Sequence, residues 1–178
     1  MSFVMTLPQF SLDLLLIAWL GICVVFDLRF RQVPAYLTIP PLILSVFWRL
    51  LNGGWQISLL TIVLILISDL PQAKLRIGLS IWAGLVAMVL AGSEDLTWAI
   101  LAIVGIWFMW EMNATGGADA KIIITLVLTF GNGLIIPPIL LAGGIHGLVG
   151  LVAGRKTIPY TIAITFGTLA SLFLSAGR

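Results

Sequence analysis

Apolar residues come in long runs separated by short polar clusters. The runs fall at about 10–27, 36–51, 56–70, 77–92, 95–111, 119–132, 134–153 and 158–175. Between them stand residues 29–34, Asn52-Gly53-Gly54, residues 69–76, Ser93-Glu94-Asp95, residues 111–118, Gly131-Asn132-Gly133 and residues 154–157. Clusters of Gly, Asn, Pro and charge mark turns. The runs lack the alternation of barrel strands. Backbone in lipid must be hydrogen-bonded within its own segment, so runs of this kind predict helices. A span takes about 17–25 residues, and most runs lie at or just below that lower bound, with 56–70 the weakest. The pattern predicts an all-α fold: a polytopic transmembrane helical bundle of about eight spans. Six- and seven-span versions stay open, with a re-entrant segment at 56–70. No repeat or soluble domain interrupts the pattern, so residues 1–178 read as a single transmembrane domain.

Composition supports the lipid reading. The chain is 61% hydrophobic and 9% charged, with mean hydropathy +1.18, whereas a soluble domain carries about 25% charged residues. A soluble fold of this length exposes too much of its chain to hide that apolar surface. A net charge of +2 gives no footing for nucleic acid, and the lipid bilayer is the expected surrounding. The single cysteine, Cys23, excludes a disulfide and a paired-cysteine zinc site and reads as a packing residue. No basic residue precedes position 10, so the charged start of a cleavable signal peptide is missing and the first run reads as a retained span.

Charge then orients the threading. With the N-terminus outside and eight spans, Arg29, Arg31, Lys74, Arg76, Lys121, Arg155 and Lys156 fall inside, while Arg49, Arg178, Glu94 and Asp95 fall outside. This is the positive-inside asymmetry. The same threading puts Asp27 and Asp119 on one face, because four spans separate them.

Short acids at the edge of a bilayer core are costly and cannot snorkel as Lys and Arg do. Asp27 closes the apolar run of residues 14–26 and precedes Leu28-Arg29-Phe30-Arg31-Gln32-Val33-Pro34. Taken alone, it reads as an interfacial acid paired with Arg29 or Arg31. Asp119 sits in Thr115-Gly116-Gly117-Ala118-Asp119-Ala120-Lys121, and taken alone reads as a helix N-cap. Taken together, two carboxylates on one face supply what an aspartic peptidase needs: one activates water and the other protonates the carbonyl. Gly116 and Gly117 would allow close approach of backbone or substrate, and Pro34 would break the chain out of helix after the first span.

These segments resemble the type IV prepilin and preflagellin peptidases. The stretch from Phe26 through Asp27 to Val33-Pro34 is similar to that family's first motif, an Asp followed several residues later by Ile-Pro-Asn. Gly116-Gly117-Ala118-Asp119-Ala120-Lys121 is similar to its Gly-x-Gly-Asp-x-Lys motif. Ile158-Pro159-Tyr160, with Ala163 and Gly167, resembles its last-span pattern. Two departures stand out: Ala118 replaces the second motif Gly, adding one methyl beside the site, and Val33-Pro34-Ala35 replaces Ile-Pro-Asn. The resemblance implies a membrane aspartic endopeptidase with Asp27 and Asp119 as catalytic residues. Gly116, Gly117, Ala118, Lys121 and Pro34 would support the motifs. The implied substrate is a pilin-like or flagellin-like precursor, whose short basic leader is cut at the cytoplasmic face of the cell membrane. No metal or organic cofactor is expected, since two carboxylates and a water suffice. The larger bacterial members carry a cysteine-rich cytosolic insert linked with N-methylation; this chain has none, so methylation is not implied.

The helix macrodipole suggests how the pair would divide its work. Asp27 would end a helix, where negative charge is disfavoured, and Asp119 would begin one, where it is favoured. Asp119 is thus expected as the base and Asp27 as the proton carrier, although Arg29 and Arg31 oppose this at Asp27. Lys121 reads either as a substrate contact or as a snorkelling cation. Glu111 reads as a leader-binding or a solvated acid, and Asp69 as a solvated acid or the partner of Lys74 or Arg76. His146, among Gly143, Gly144 and Gly147, reads as a packing residue, and Gly143, Gly147 and Gly150 suggest close helix contact. Trp55, Trp98, Trp107 and Trp110 read as interfacial anchors. Competing readings are a transporter or channel component, which would place more polar residues at mid-membrane depth; a non-catalytic assembly scaffold, which would tolerate loss of either Asp; and a Gly-x-Gly-Asp protease that cuts within spans, against which the absence of a Pro-Ala-Leu stretch argues.

Overall fold

A computed structural model describes residues 7–152 and 159–176. Arg155, Lys156, Ile158 and Arg178 lie outside the described residues, as does the packing around Gly147 and Gly150. The described chain is all-helical, with no strand. It comprises α1 (Leu7–Phe30), α2 (Ala35–Leu51), α3 (Trp55–Ser68), α4 (Ala73–Val89), α5 (Glu94–Glu111), α6 (Gly117–Phe130), a 3-10 turn (Gly133–Ile135), α7 (Ile136–Val152) and α8 (Tyr160–Ala176). Each apolar run became one helix, displaced by a few residues at its ends.

The ends follow from local chemistry. α1 stops where Arg31 takes a left-handed backbone (φ 56°), its N–H bonded to the Asp27 carbonyl at 2.9 Å. The helix therefore ends before Pro34, which instead stands directly ahead of α2. Ser93 caps α5, its hydroxyl accepting from the Leu96 N–H at 3.3 Å, with Glu94 and Asp95 in the favourable first turn. Asn132 accepts from the Leu134 N–H at 2.7 Å and starts the 3-10 turn. Gly131 closes α6 in the left-handed region (φ 65°), the usual geometry of a glycine helix terminator.

Among the described residues one helix, over Ser11–Phe30, is long and apolar enough by itself to cross a membrane. α5 has 18 residues but carries Glu94, Asp95 and Glu111. The remaining helices run from 14 to 17 residues.

The chain divides into two compact units. In the unit formed by Ala35–Ile136, α6 is the enclosed element: every residue from 122 to 128 is buried. It packs against α2 and α5, while α3 and α4 complete the unit. Polar links tie the helices together. Ser58 donates to the Val46 carbonyl at 3.0 Å, and Gln56 donates to the Leu90 carbonyl at 3.3 Å. The Arg49 guanidinium lies in a slot made by two glycines. A Cβ on Gly54 would fall 2.1 Å from its Nε, and one on Gly131 would fall 2.3 Å from its Cζ. The Arg49 cation thus rests at the C-terminus of α6, where helix carbonyls favour positive charge. Gly133 lies flat on the Trp98 carbonyl, which a Cβ would meet at 2.1 Å.

The second unit holds the described parts of Met1–Pro34 and Pro137–Arg178. Here α1 packs against α8. α7 meets α8 through glycine: Gly167 faces the Ile139 backbone, and Gly143 faces the Tyr160 ring. Backbone contact this close needs residues without a side chain.

Two glycine substitutions are expected to have opposite effects. Gly131→Ala is expected to cost about 1–3 kcal/mol, the scale of a side chain forced into a left-handed backbone, and to expel Arg49. Gly78→Ala, exposed on α4 with open space around it, is expected to gain about 0.5–1 kcal/mol from helix propensity. Denaturant unfolding in detergent reads both.

Candidate active site

The two aspartates occupy complementary ends of their helices. Asp27 is in the last turn of α1, half-buried. Its Oδ2 accepts a hydrogen bond from the Thr161 hydroxyl, on the second residue of α8. Thr161 is 1% exposed. Arg29 does not take the carboxylate: its guanidinium lies over the Phe30 ring, 5.4 Å from the centroid, and Phe30 packs on Phe26 at 5.5 Å.

Thr161 alters the electrostatics expected at Asp27. The end of α1 disfavours negative charge, but Thr161 belongs to the first turn of α8, whose end favours it.

Asp119 is not the N-cap of α6. That position is Gly116 (φ −68°, ψ 145°), and Asp119 is the third residue of the helix. Its carboxylate folds back over the cap: a Cβ on Gly116 would meet Oδ2 at 3.0 Å. A carboxylate in the first turn suits the positive end of α6. A Cβ on Gly117 would meet the Trp110 indole nitrogen at 3.2 Å. The two motif glycines thus make room for the chain's own Asp119 and Trp110. Ala118 and Lys121 are half-buried beside them, and Lys121 forms no ion pair among the described residues.

Several neighbouring acids and aromatics have structural partners. Glu111 is not free for a basic leader, because its Oε2 takes two bonds from Arg76, Nε at 3.1 Å and Nη2 at 2.9 Å. Arg76 also donates to the Leu70 carbonyl at 2.9 Å. Asp69 is therefore not the partner of Arg76; it is exposed at the end of α3. Trp107 is buried and meets the half-buried Trp110 edge-on with centroids 4.8 Å apart. Trp55 and Trp98 are exposed. His146 is half-buried on α7, with Nε2 shielded and unbonded. No group of three His, Cys, Asp or Glu side chains that could hold a metal occurs among the described residues.

Thr161 was not visible as a site residue in the sequence, although it directly follows the Pro159-Tyr160 pair. Asp27 belongs to one compact unit and Asp119 to the other. No protein-family model matches the chain, and neither a curated protein nor a solved structure is significantly similar to it.

The Arg76–Glu111 pair yields a stability prediction. The side chains are 25% and 5% exposed, so removing one leaves the other's charge stranded. Arg76→Met is expected to cost about 3–5 kcal/mol, and the double change Arg76→Met with Glu111→Met to recover most of it. A double-mutant unfolding cycle measures the difference.

Proposed function

We propose that this chain is a polytopic membrane aspartic endopeptidase with Asp27 and Asp119 as its two catalytic carboxylates. Its proposed substrate is a pilin-like or flagellin-like precursor, cut at the cytoplasmic face to release a short basic leader. The observation that carries the reading is the position of the two acids along the helix order. Asp27 closes α1 and Asp119 opens α6, with α2 to α5 between them. If each helix crosses once, the two acids share a side, and Arg29, Arg31, Lys74 and Arg76 share it with them. The resemblance of the flanking Phe26–Pro34 and Gly116–Lys121 segments to the prepilin peptidase motifs supplies the substrate class.

A membrane location draws support from the exposed surface. Leu15, Leu51, Trp82, Val89, Val152 and Phe173 are all more than 60% exposed, and so much open apolar area suits lipid rather than water. Helices of 14 to 17 residues extend about 21–26 Å, so the surrounding bilayer would thin to meet them.

The chemistry needs no further group. The α6 N-terminus favours negative charge at Asp119, which is assigned as the base. Its carboxylate takes a proton from water as the water oxygen bonds to the scissile carbonyl carbon. Asp27, protonated, gives its proton to the carbonyl oxygen. The tetrahedral intermediate then collapses: the C–N bond breaks as the nitrogen takes the proton held by Asp119, one hydroxyl of the diol returns its proton to Asp27, and the leader leaves with a new carboxyl terminus.

Co-expression with a precursor bearing a basic leader, read by mass, tests the activity. Wild type is expected to cleave, and Asp27→Asn and Asp119→Asn to lose about 100-fold or more while still inserting. Cleavage by both variants would make the acids structural and leave the scaffold reading. The threading has its own test in single-cysteine labelling on a Cys23→Ala background. Gln32→Cys and Lys74→Cys are expected to react only from the inside, and Asn52→Cys and Glu94→Cys only from the outside. Labelling of all four from one side would end the eight-span topology.

A further inference from the structure

Among the described side chains of α8, the Thr and Ser hydroxyls are those of Thr161, Thr165, Thr168 and Ser171, and one of them behaves unlike the rest. Thr165 donates to the Thr161 carbonyl at 2.8 Å, Thr168 to the Ile164 carbonyl at 2.8 Å, and Ser171 to the Gly167 carbonyl at 3.1 Å. Each spends its proton on its own helix, four residues back, as hydroxyls in apolar helices commonly do. Thr161 is the second residue of α8, and Pro159 just before the helix is not helical. Its hydroxyl instead crosses to α1 and donates to Asp27 Oδ2. The donor is 1% exposed, so little water competes for the acceptor. The β-branched side chain has few rotamers to lose.

We propose that Thr161 is a positioning residue for Asp27: it holds the carboxyl plane and occupies Oδ2, leaving Oδ1 as the oxygen that carries the exchanging proton. The assignment rests on the peptidase reading for its consequence in catalysis, but the hydrogen bond itself does not depend on that reading. An oxygen that already accepts from a hydroxyl is the poorer site for a proton, so a protonated Asp27 bears it on Oδ1. Delivery to a substrate carbonyl then requires one carboxyl orientation, and Thr161 fixes it without touching the substrate. Cys23 stands one turn before Asp27 on α1, Arg29 shares its last turn, Arg31 follows the helix end, and Tyr160 precedes Thr161 on α8. None of them is altered by the changes below.

The full-length protein in detergent or vesicles is compared as wild type, Thr161→Val, Thr161→Ser and Asp27→Asn. Infrared difference spectra with carboxyl-labelled Asp read the Asp27 band, assigned by its loss in Asp27→Asn. Valine keeps the shape and removes the donor; serine keeps the donor. The expected result is a displaced Asp27 band in Thr161→Val and a native one in Thr161→Ser. With the precursor as substrate, kcat is expected to fall about twofold to tenfold in Thr161→Val, the scale of one neutral hydrogen bond. KM should stay unchanged, and Thr161→Ser should restore kcat. An unmoved Asp27 band in Thr161→Val overturns the proposal, as does a loss of cleavage that serine fails to restore. A displaced band in a protein whose wild type cleaves no precursor upholds the positioning contact and overturns the peptidase reading instead.

Discussion

The enclosure of α6 sets the terms for the unit around it. Every residue from 122 to 128 is buried, so this helix presents no face to its surroundings and its neighbours must fit it on all sides. Both ends of α6 show its demands. At the C-terminus, Gly131 adopts a left-handed backbone against the Arg49 guanidinium. At the N-terminus, Gly116 and Gly117 yield their side-chain space to the Asp119 carboxylate and the Trp110 indole. A negative group at the positive end and a positive group at the negative end follow the helix dipole. The element bearing the candidate base is thereby held at both ends by charge and by the absence of side chains.

Satisfaction of polar groups is the second governing constraint. Hydroxyls on α6 and α8 turn back onto carbonyls of their own helix, as Thr125 does to Lys121 at 2.7 Å and Thr129 to Thr125 at 2.8 Å. Arg76 and Glu111 satisfy each other where α4 and α5 meet. Against this economy Thr161 is the exception, because its place in the first turn of α8 leaves its proton available to another helix. The exception falls on Asp27, so a rule about helix starts becomes a feature of the candidate site.

Much of this was legible in the sequence, because long apolar runs without strand alternation favour helix and turn residues punctuate them. Among the described residues, the eight apolar runs became eight α-helices. The sequence also placed Asp27 at the end of one and Asp119 at the start of another. The finer readings of local chemistry fared less well. Pro34 did not end α1, because Arg31 turned left-handed three residues earlier. Asp119 was not the N-cap, because Gly116 took that position. Glu111 was not a free acid, because Arg76 lies 35 positions away along the chain and beside it in space.

What the sequence determined by itself was helix content, helix order and the presence of one acid at each of two helix ends, since these depend on neighbours within a few positions. Only the tertiary structure decided the partners. Thr161 is 134 positions from Asp27, and nothing in the local pattern of either segment registers the other. The same holds for Arg49 in its glycine slot and for Trp110 over Gly117. Side-chain contacts between helices depend on how the helices rotate and slide against one another, and packing shape fixes that, whereas periodicity and composition do not.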